Sequence, residues 1–269
     1  MDAANRSVHS PLRAPHFSAG TRCTIRALFT PQHQVEPMMR IVTWNCCGGI
    51  FQEQAAHVTA LMPDVAVIQE APQPHSANLP NCAWSGADSK KKGVTVVGAN
   101  GYTLEAYPPA PSAPCDFFPV RVVGPTSFML LAAWTHTPKY VEDVWPAVDA
   151  YRGVLTPGEC VLAGDFNSSS HPKFDRKHPR ATHAMMVEML ERELGLVSAY
   201  HAFFDVKHGS EEHPTYYHCR DKSKPFHIDY CFIPKAWSRQ IRSVVVGDFA
   251  GWQDLSDHRP LIVDVEPLT

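Results

Sequence analysis

From residue 40 onward the chain alternates short apolar runs with stripes at helical spacing. The runs RIVTWN (40–45), VAVIQE (65–70), GVTVVG (93–98), MLLAAWTH (129–136), CVLAGDFN (160–167), HIDYCFI (227–233), SVVVGDF (243–249) and LIVDVE (261–266) are apolar or β-branched, with turn residues nearby. Such runs predict strands. Helices are predicted between some of them. One covers Phe51 to Met62 and is stopped by Pro63. A second carries Val141, Val144, Trp145, Val148 and Tyr151, and Pro146 must either start it or kink it. A third carries Met186, Leu190 and Leu194, with Gly195 placed to cap it. The stretch AYPPAPSAPCDFFP (106–119) reads as a rigid loop. No internal repeat and no linker is visible within 39–269, so this part is expected to form one α/β domain.

The first 38 residues lack this pattern. They are rich in Arg, Ser, Pro and His, and their only acids are Asp2 and Glu36. They show no sustained period and no apolar core of a secretory signal. A disordered extension or an upstream, non-native start is expected, with an organellar targeting segment as the alternative. MMRIVTWN (38–45) has the character of a beginning.

Composition narrows the class. The chain has 269 residues, 44% apolar and 19% charged, enough to bury a core in one large domain. A net charge of −3 excludes an overall polycation but leaves room for a local basic groove. No apolar run reaches membrane-spanning length, so no membrane partner is expected, nor is an obligate protein partner evident. The eight cysteines form no C-x-x-C pair; Cys160 and Cys231 sit in apolar runs and Cys46 and Cys47 are adjacent. That usage fits reduced thiols in a cytoplasmic protein. His171, His218 and Cys219, or His227 and Cys231, do not close a four-ligand zinc spacing.

The chemistry lies at the strand ends. LAGDFNSSS (162–170) carries an apolar run straight into Asp165 and Asn167. Asn45, Glu70 and His136 close earlier runs, Asp229 lies in HIDY, and Asp257 and His258 precede the last run. Strand ends of an α/β sheet share one rim, where ligands bind. These eight groups could therefore meet in one pocket. Carboxylates and amides are hard oxygen donors suited to Mg²⁺ or Mn²⁺. Carboxylates beside histidines also make a general acid–base set.

Taken in order, TWN at Asn45, IQE at Glu70, THTP at His136, GDFN at Asp165 and Asn167, HIDY at Asp229 and SDHRP at Asp257 and His258 resemble the endonuclease/exonuclease/phosphatase superfamily. The resemblance implies a four-layer α/β/β/α sandwich of two packed mixed sheets flanked by helices. It implies that Glu70 ligates a catalytic divalent metal, with Asn45 and Asp257 close by. Asp165 would orient or deprotonate the attacking water and Asn167 would bind phosphate. His258, oriented by Asp229, would contact the scissile phosphate. His136 stands where abasic-site endonucleases have Tyr, and so points to the deoxyribonuclease, sphingomyelinase and deadenylase side. Pancreatic-type deoxyribonucleases back that His with a Glu, whereas DSKKKGVTVVG (88–98) offers Lys.

Two basic clusters bear on the substrate. HPKFDRKHPRATH (171–183) contains Lys173, Arg176 and Lys177; HPTYYHCRDKSKPFH (213–227) interleaves Arg220, Lys222 and Lys224 with Tyr216 and Tyr217. Such residues can hold phosphates and stack on bases. The expected activity is a divalent-metal-dependent nuclease acting on DNA or RNA. A phospholipid, inositol-phosphate or other small phosphoester hydrolase, and a catalytically dead binding module of the same fold, are the alternatives.

Overall fold

A computed structural model describes residues 38–48, 51–74, 81–87, 92–115, 117–136, 139–175 and 180–267. The expected extension over residues 1–38 lies, Met38 aside, outside the described residues. In chain order the strands are β1 (Met39–Asn45), β2 (Val65–Ala71), β3 (Cys82–Ala87), β4 (Lys92–Gly98), β5 (Thr103–Ala106), β6 (Phe117–Val123), β7 (Phe128–Trp134), β8 (Cys160–Asp165), β9 (Leu196–Ser198), β10 (Tyr216–Tyr217), β11 (Pro225–Phe226), β12 (Asp229–Pro234), β13 (Ile241–Val246) and β14 (Leu261–Val265). The helices are α1 (Phe51–Ala60), α2 (Val144–Ala150), α3 (Pro172–Asp175), α4 (His183–Leu194), α5 (Ala199–Phe204) and α6 (Phe249–Trp252).

Two six-stranded sheets form, ordered β13-β14-β1-β2-β4-β3 and β5-β6-β7-β8-β12-β9, with β10 and β11 as a separate hairpin. Both are mixed: β1 and β2 run parallel, as do β7 and β8. Period-2 alternation gives each sheet two apolar faces, which sets the layering. Ile41, Val67 and Val263 of one sheet meet Val120, Leu130 and Ala163 of the other in the central core. Leu131, Leu162 and Phe232 face outward onto Val144 and Val148 of α2 and Met186 and Leu190 of α4. Val42, Trp44 and Ile68 face outward from the first sheet, with Val58 of α1 among their partners. The result is the expected α/β/β/α sandwich. Truncating a fully buried side chain such as Leu130 or Leu131 to Ala is worth about 2–5 kcal/mol.

Local signals explain several helix ends. Thr182 caps α4, its hydroxyl accepting from Met185 N–H at 3.3 Å, and Gly195 ends the helix in a left-handed conformation, φ 64°. Pro146 falls in the first turn of α2, where a missing N–H costs nothing, after a 3₁₀ turn at Tyr140–Asp143. The 106–119 stretch read as loop overlaps two strands: Ala106 ends β5 and β6 begins at Phe117. Pro119 fits inside β6 because its carbonyl, and hence its nitrogen, faces Tyr107, just past the end of β5.

Candidate active site

The site forms where inner-face positions run out of apolar partners at one rim. Met39 and Ile41 point into the central core, so by alternation Asn45 ends β1 on that same face. Val161 and Ala163 do the same for Asp165 on β8, and Cys231 and Ile233 for Asp229 on β12. The β8–β12 register sets Asp165 directly opposite Asp229. Gly164 is required next to them. Its φ is 151° and a Cβ there would lie 1.9 Å from the Ala133 carbonyl oxygen of β7.

Glu70 arrives differently. Ala66 and Ile68 face outward, so alternation alone would send Glu70 outward too. Instead its φ is 56° and the β2–β4 register slips between Ile68 and Ala71. This bulge re-aims the carboxylate toward the rim, at the cost of about 1–3 kcal/mol of backbone strain.

The groups are tied by a dense network. Asn45 Nδ2 donates to Glu70 Oε1 at 3.2 Å and to Asp165 Oδ2 at 2.9 Å. Asn167, itself at φ 45°, donates from its backbone to Asp165 Oδ1 at 2.8 Å. Its Nδ2 donates to Asp165 Oδ2 at 2.9 Å and to the Thr135 carbonyl at 2.8 Å. Both amide protons of Asn167 are thus committed, and contact with a phosphate oxygen requires one to change partner. His258 Nδ1 donates to Asp229 Oδ2 at 2.9 Å, and its Nε2 lies 3.9 Å from Asp165 Oδ2.

The electrostatics follow from this burial. Desolvation opposes a charge on His258, but Asp229 and then Asp165 outweigh it and push its pKa up to about 9. Desolvation also drives the Asp165 carboxyl up to about 7, against the opposing pull of His258. Asp165, Asp229 and His258 place one ligand atom each within 4.8 Å of one another.

The remaining expected site residues lie as follows. Asp257 lies near the Cys47 thiol, which feels the charges of both Asp257 and Glu70. β7 pairs Trp134 with Asp165 of β8, so His136 leaves the sheet at the same rim, its ring 5.2 Å edge-on from Trp134. Tyr216 packs its ring 4.6 Å from His258. Tyr217 packs on Phe249 and under the Arg259 guanidinium at 4.8 Å. Arg220 reaches the Asp254 carbonyl at 3.5 Å, Lys222 lies over Phe249, and Lys224 pairs with Asp221 at 2.7 Å. Lys173 is exposed, 5.7 Å over Phe226. Arg176 and Lys177 lie outside the described residues.

Several supporting residues carried no distinct sequence signal. Lys92 Nζ sits 2.8 Å from Glu70 Oε2. Ser256 Oγ donates to the Asn45 carbonyl at 2.7 Å and accepts from His258 N–H at 2.9 Å, joining the last loop to β1. Thr215 Oγ1 accepts from Asp229 N–H at 3.0 Å. Arg259 is fully buried and donates to the carbonyls of Ser256 and His258. Ser256 and Arg259 could have been suspected, from their place in SDHRP.

The donor set at Glu70 fits a hard divalent cation. Glu70 already has a cationic partner in Lys92, and Asn45 Oδ1 accepts only from Cys47 N–H among the bonds described, keeping a second lone pair. Asp257 adds a second carboxylate beside Cys47.

Known proteins share this architecture. The sequence profile described as Endonuclease/Exonuclease/phosphatase family matches residues 42–258. The 3′ phosphatase NExo from Neisseria, solved with a product DNA hairpin, is 18% identical, with 84% of this chain and 99% of that one covered and a TM-score of 0.62. An AP endonuclease from Archaeoglobus fulgidus is 15% identical over 85% and 100% of the two chains, TM-score 0.63. Truncated Caenorhabditis elegans TDP2 is 14% identical over 85% and 97%, TM-score 0.58. At these identities the likeness is one of fold. No curated protein sequence matches the chain. With motifs spaced along nearly the whole sandwich and the profile spanning them, the chain belongs to the endonuclease/exonuclease/phosphatase family.

Proposed function

We propose that this protein hydrolyses phosphodiester bonds of nucleic acid with Mg²⁺ or Mn²⁺. The observation that carries the reading is the buried Asp229–His258 pair whose free ring nitrogen faces Asp165. A cationic imidazole next to an oriented carboxylate is what an in-line attack on a phosphate diester requires. Asp165 is fixed by Asn45 and Asn167 and accepts the proton of the attacking water. The new O–P bond forms as the P–O bond to the departing sugar breaks. His258 stabilises charge on a non-bridging oxygen. His136 is assigned the proton donated to the leaving oxygen. Asn45, Glu70 and Asp257 would hold the cation, which when bound supplies charge neutralisation at the phosphoryl group.

The fold's relatives support nucleic acid as substrate class, since the Neisseria protein was solved with a DNA hairpin. The aromatic and basic hairpin β10–β11 supports it independently, because Tyr216 borders His258. Among the described residues no helix is long and apolar enough to cross a membrane. The test is a panel of end-labelled DNA and RNA, a phospholipid and an inositol phosphate, each with Mg²⁺, Mn²⁺ or EDTA. Cleavage of an oligonucleotide that EDTA abolishes is expected. Turnover confined to the small phosphoesters would overturn the reading, and so would no turnover at all.

A further inference from the structure

A second cluster of metal-ligating side chains lies behind the rim, on the outer face of β12. Four imidazoles surround the Tyr230 ring: His183 at 4.9 Å, His227 at 5.1 Å, His208 at 5.9 Å and His201 at 6.2 Å between centroids. His201 is presented by α5, His208 and Glu211 by the segment that follows it. One ligand atom from each of His201, His208 and Glu211 lies within 4.8 Å of the others. We propose that His201, His208 and Glu211 form a metal site separate from the rim, for a divalent transition ion of the Zn²⁺ type.

Three observations support this. The donor set is chemically apt, since two imidazoles and one carboxylate are borderline ligands favoured by Zn²⁺ rather than Mg²⁺. Each imidazole is also braced at its other nitrogen. His201 Nδ1 meets Ser198 Oγ at 2.8 Å, and His208 Nδ1 meets His183 Nε2 at 3.0 Å. Glu211 Oε1, the oxygen that faces His201 Nε2, is held by Gly209 N–H at 2.9 Å. Bracing of this kind orients ligands in metal centres. Finally, His227, 3% exposed and packed 6.0 Å from His201, has a buried Nε2 with no hydrogen-bond partner. A buried imidazole nitrogen left bare is costly unless something occupies it.

His201 Nε2 now donates to Glu211 at 2.9 Å; ligation through that nitrogen requires the other tautomer, with the ring proton on Nδ1 and donated to Ser198 Oγ. His201 and His208 are stacked at 3.5 Å and 15°, so ligation must splay the two rings.

The site would brace the rim without entering it. His183 Nδ1 contacts Ser168 Oγ at 3.2 Å, one residue beyond Asn167. The segment carrying His208 and Glu211 leads to Thr215, which holds Asp229 N–H.

The test is metal content. The full chain is loaded with ZnCl₂ in excess Mg²⁺, dialysed into Mg²⁺ buffer, and bound zinc is measured by mass spectrometry. About one zinc per chain is expected, with melting about 5 °C above that in EDTA. Glu211→Gln and His208→Ala should each lose the zinc, whereas Asp165→Asn should keep it. Loss only in Asp165→Asn would place the zinc at the rim and overturn the proposal. So would retention in both variants of this cluster, or no zinc in the unmodified chain. If His208→Ala fails to fold by circular dichroism, Glu211→Gln, nearly isosteric, decides.

Discussion

Asp165 and Asp229 face each other across the antiparallel pair β8–β12, both fully buried, and the His258 ring contacts one and approaches the other. Two carboxylates opposed across strands repel. The imidazolium between them is what makes the arrangement tolerable, and the same two charges raise its pKa. Asp229→Asn should therefore lower the His258 pKa from its raised value and reduce kcat about a hundredfold or more. An NMR titration of the ring reads the first effect and oligonucleotide cleavage the second. An unmoved titration would mean that the charge of Asp229 does not govern His258.

Lys92 competes for Glu70. Its side chain is 39% exposed and its ammonium lies 2.8 Å from Oε2. Lys92→Met should tighten Mn²⁺ binding about two- to fivefold, the size of a half-exposed ion pair. Glu70→Gln should weaken it and abolish turnover. Paramagnetic resonance of free Mn²⁺ measures both. Unchanged affinity in both variants would remove Glu70 from the cation site.

His136 can be tested by leaving group. His136→Ala should slow cleavage of a natural diester about a hundredfold, since an alkoxide needs a proton. A nitrophenyl diester, whose leaving group is already acidic, should be affected far less, whereas Asp165→Ala should damage both. Equal losses on the two substrates for His136→Ala would assign His136 to phosphate binding instead.

The hairpin cations should not be equivalent. Lys224 is paired with Asp221 at 2.7 Å, whereas Lys222 lies over the Phe249 ring. Lys222→Ala should reduce the salt slope of oligonucleotide binding by about 0.7–0.9, one phosphate contact. Lys224→Ala should reduce it less. Identical, unchanged slopes would make the hairpin a solvated surface.

Alkaline stability should depend on three buried thiols. Burial raises Cys46, Cys160 and Cys231 to about 12. Each keeps its proton in the folded chain above the pH at which the unfolded chain loses it, about 8.5. The folded state then binds more protons, so stability falls as pH rises from there toward about 12, at up to about 1.4 kcal/mol per unit for each thiol. Urea unfolding of Cys231→Ala at pH 8 to 10 should show a shallower decline than the unmodified chain. Parallel declines would show that this thiol does not contribute.

The sequence by itself determined the layered α/β class and the order of the polar groups. Period-2 runs that end in Asn45 and Asp165, or begin at Asp229, state which face each side chain takes, because alternation is local. GDFN and SDHRP likewise announced a rim. The β5–β6 edge, with Pro119 inside a strand, was hidden because an apolar Pro-rich run has no distinctive period. Glu70 was legible as a strand end but not in its aim, since the slip between Ile68 and Ala71 is a property of the β2–β4 pairing. Only tertiary structure set Asp229 opposite Asp165, brought Lys92 onto Glu70, and buried Arg259 under two aromatic rings. Those contacts join residues far apart in the chain. Their charges and pKa shifts come from desolvation and cross-strand register, quantities that exist only once the two sheets have packed.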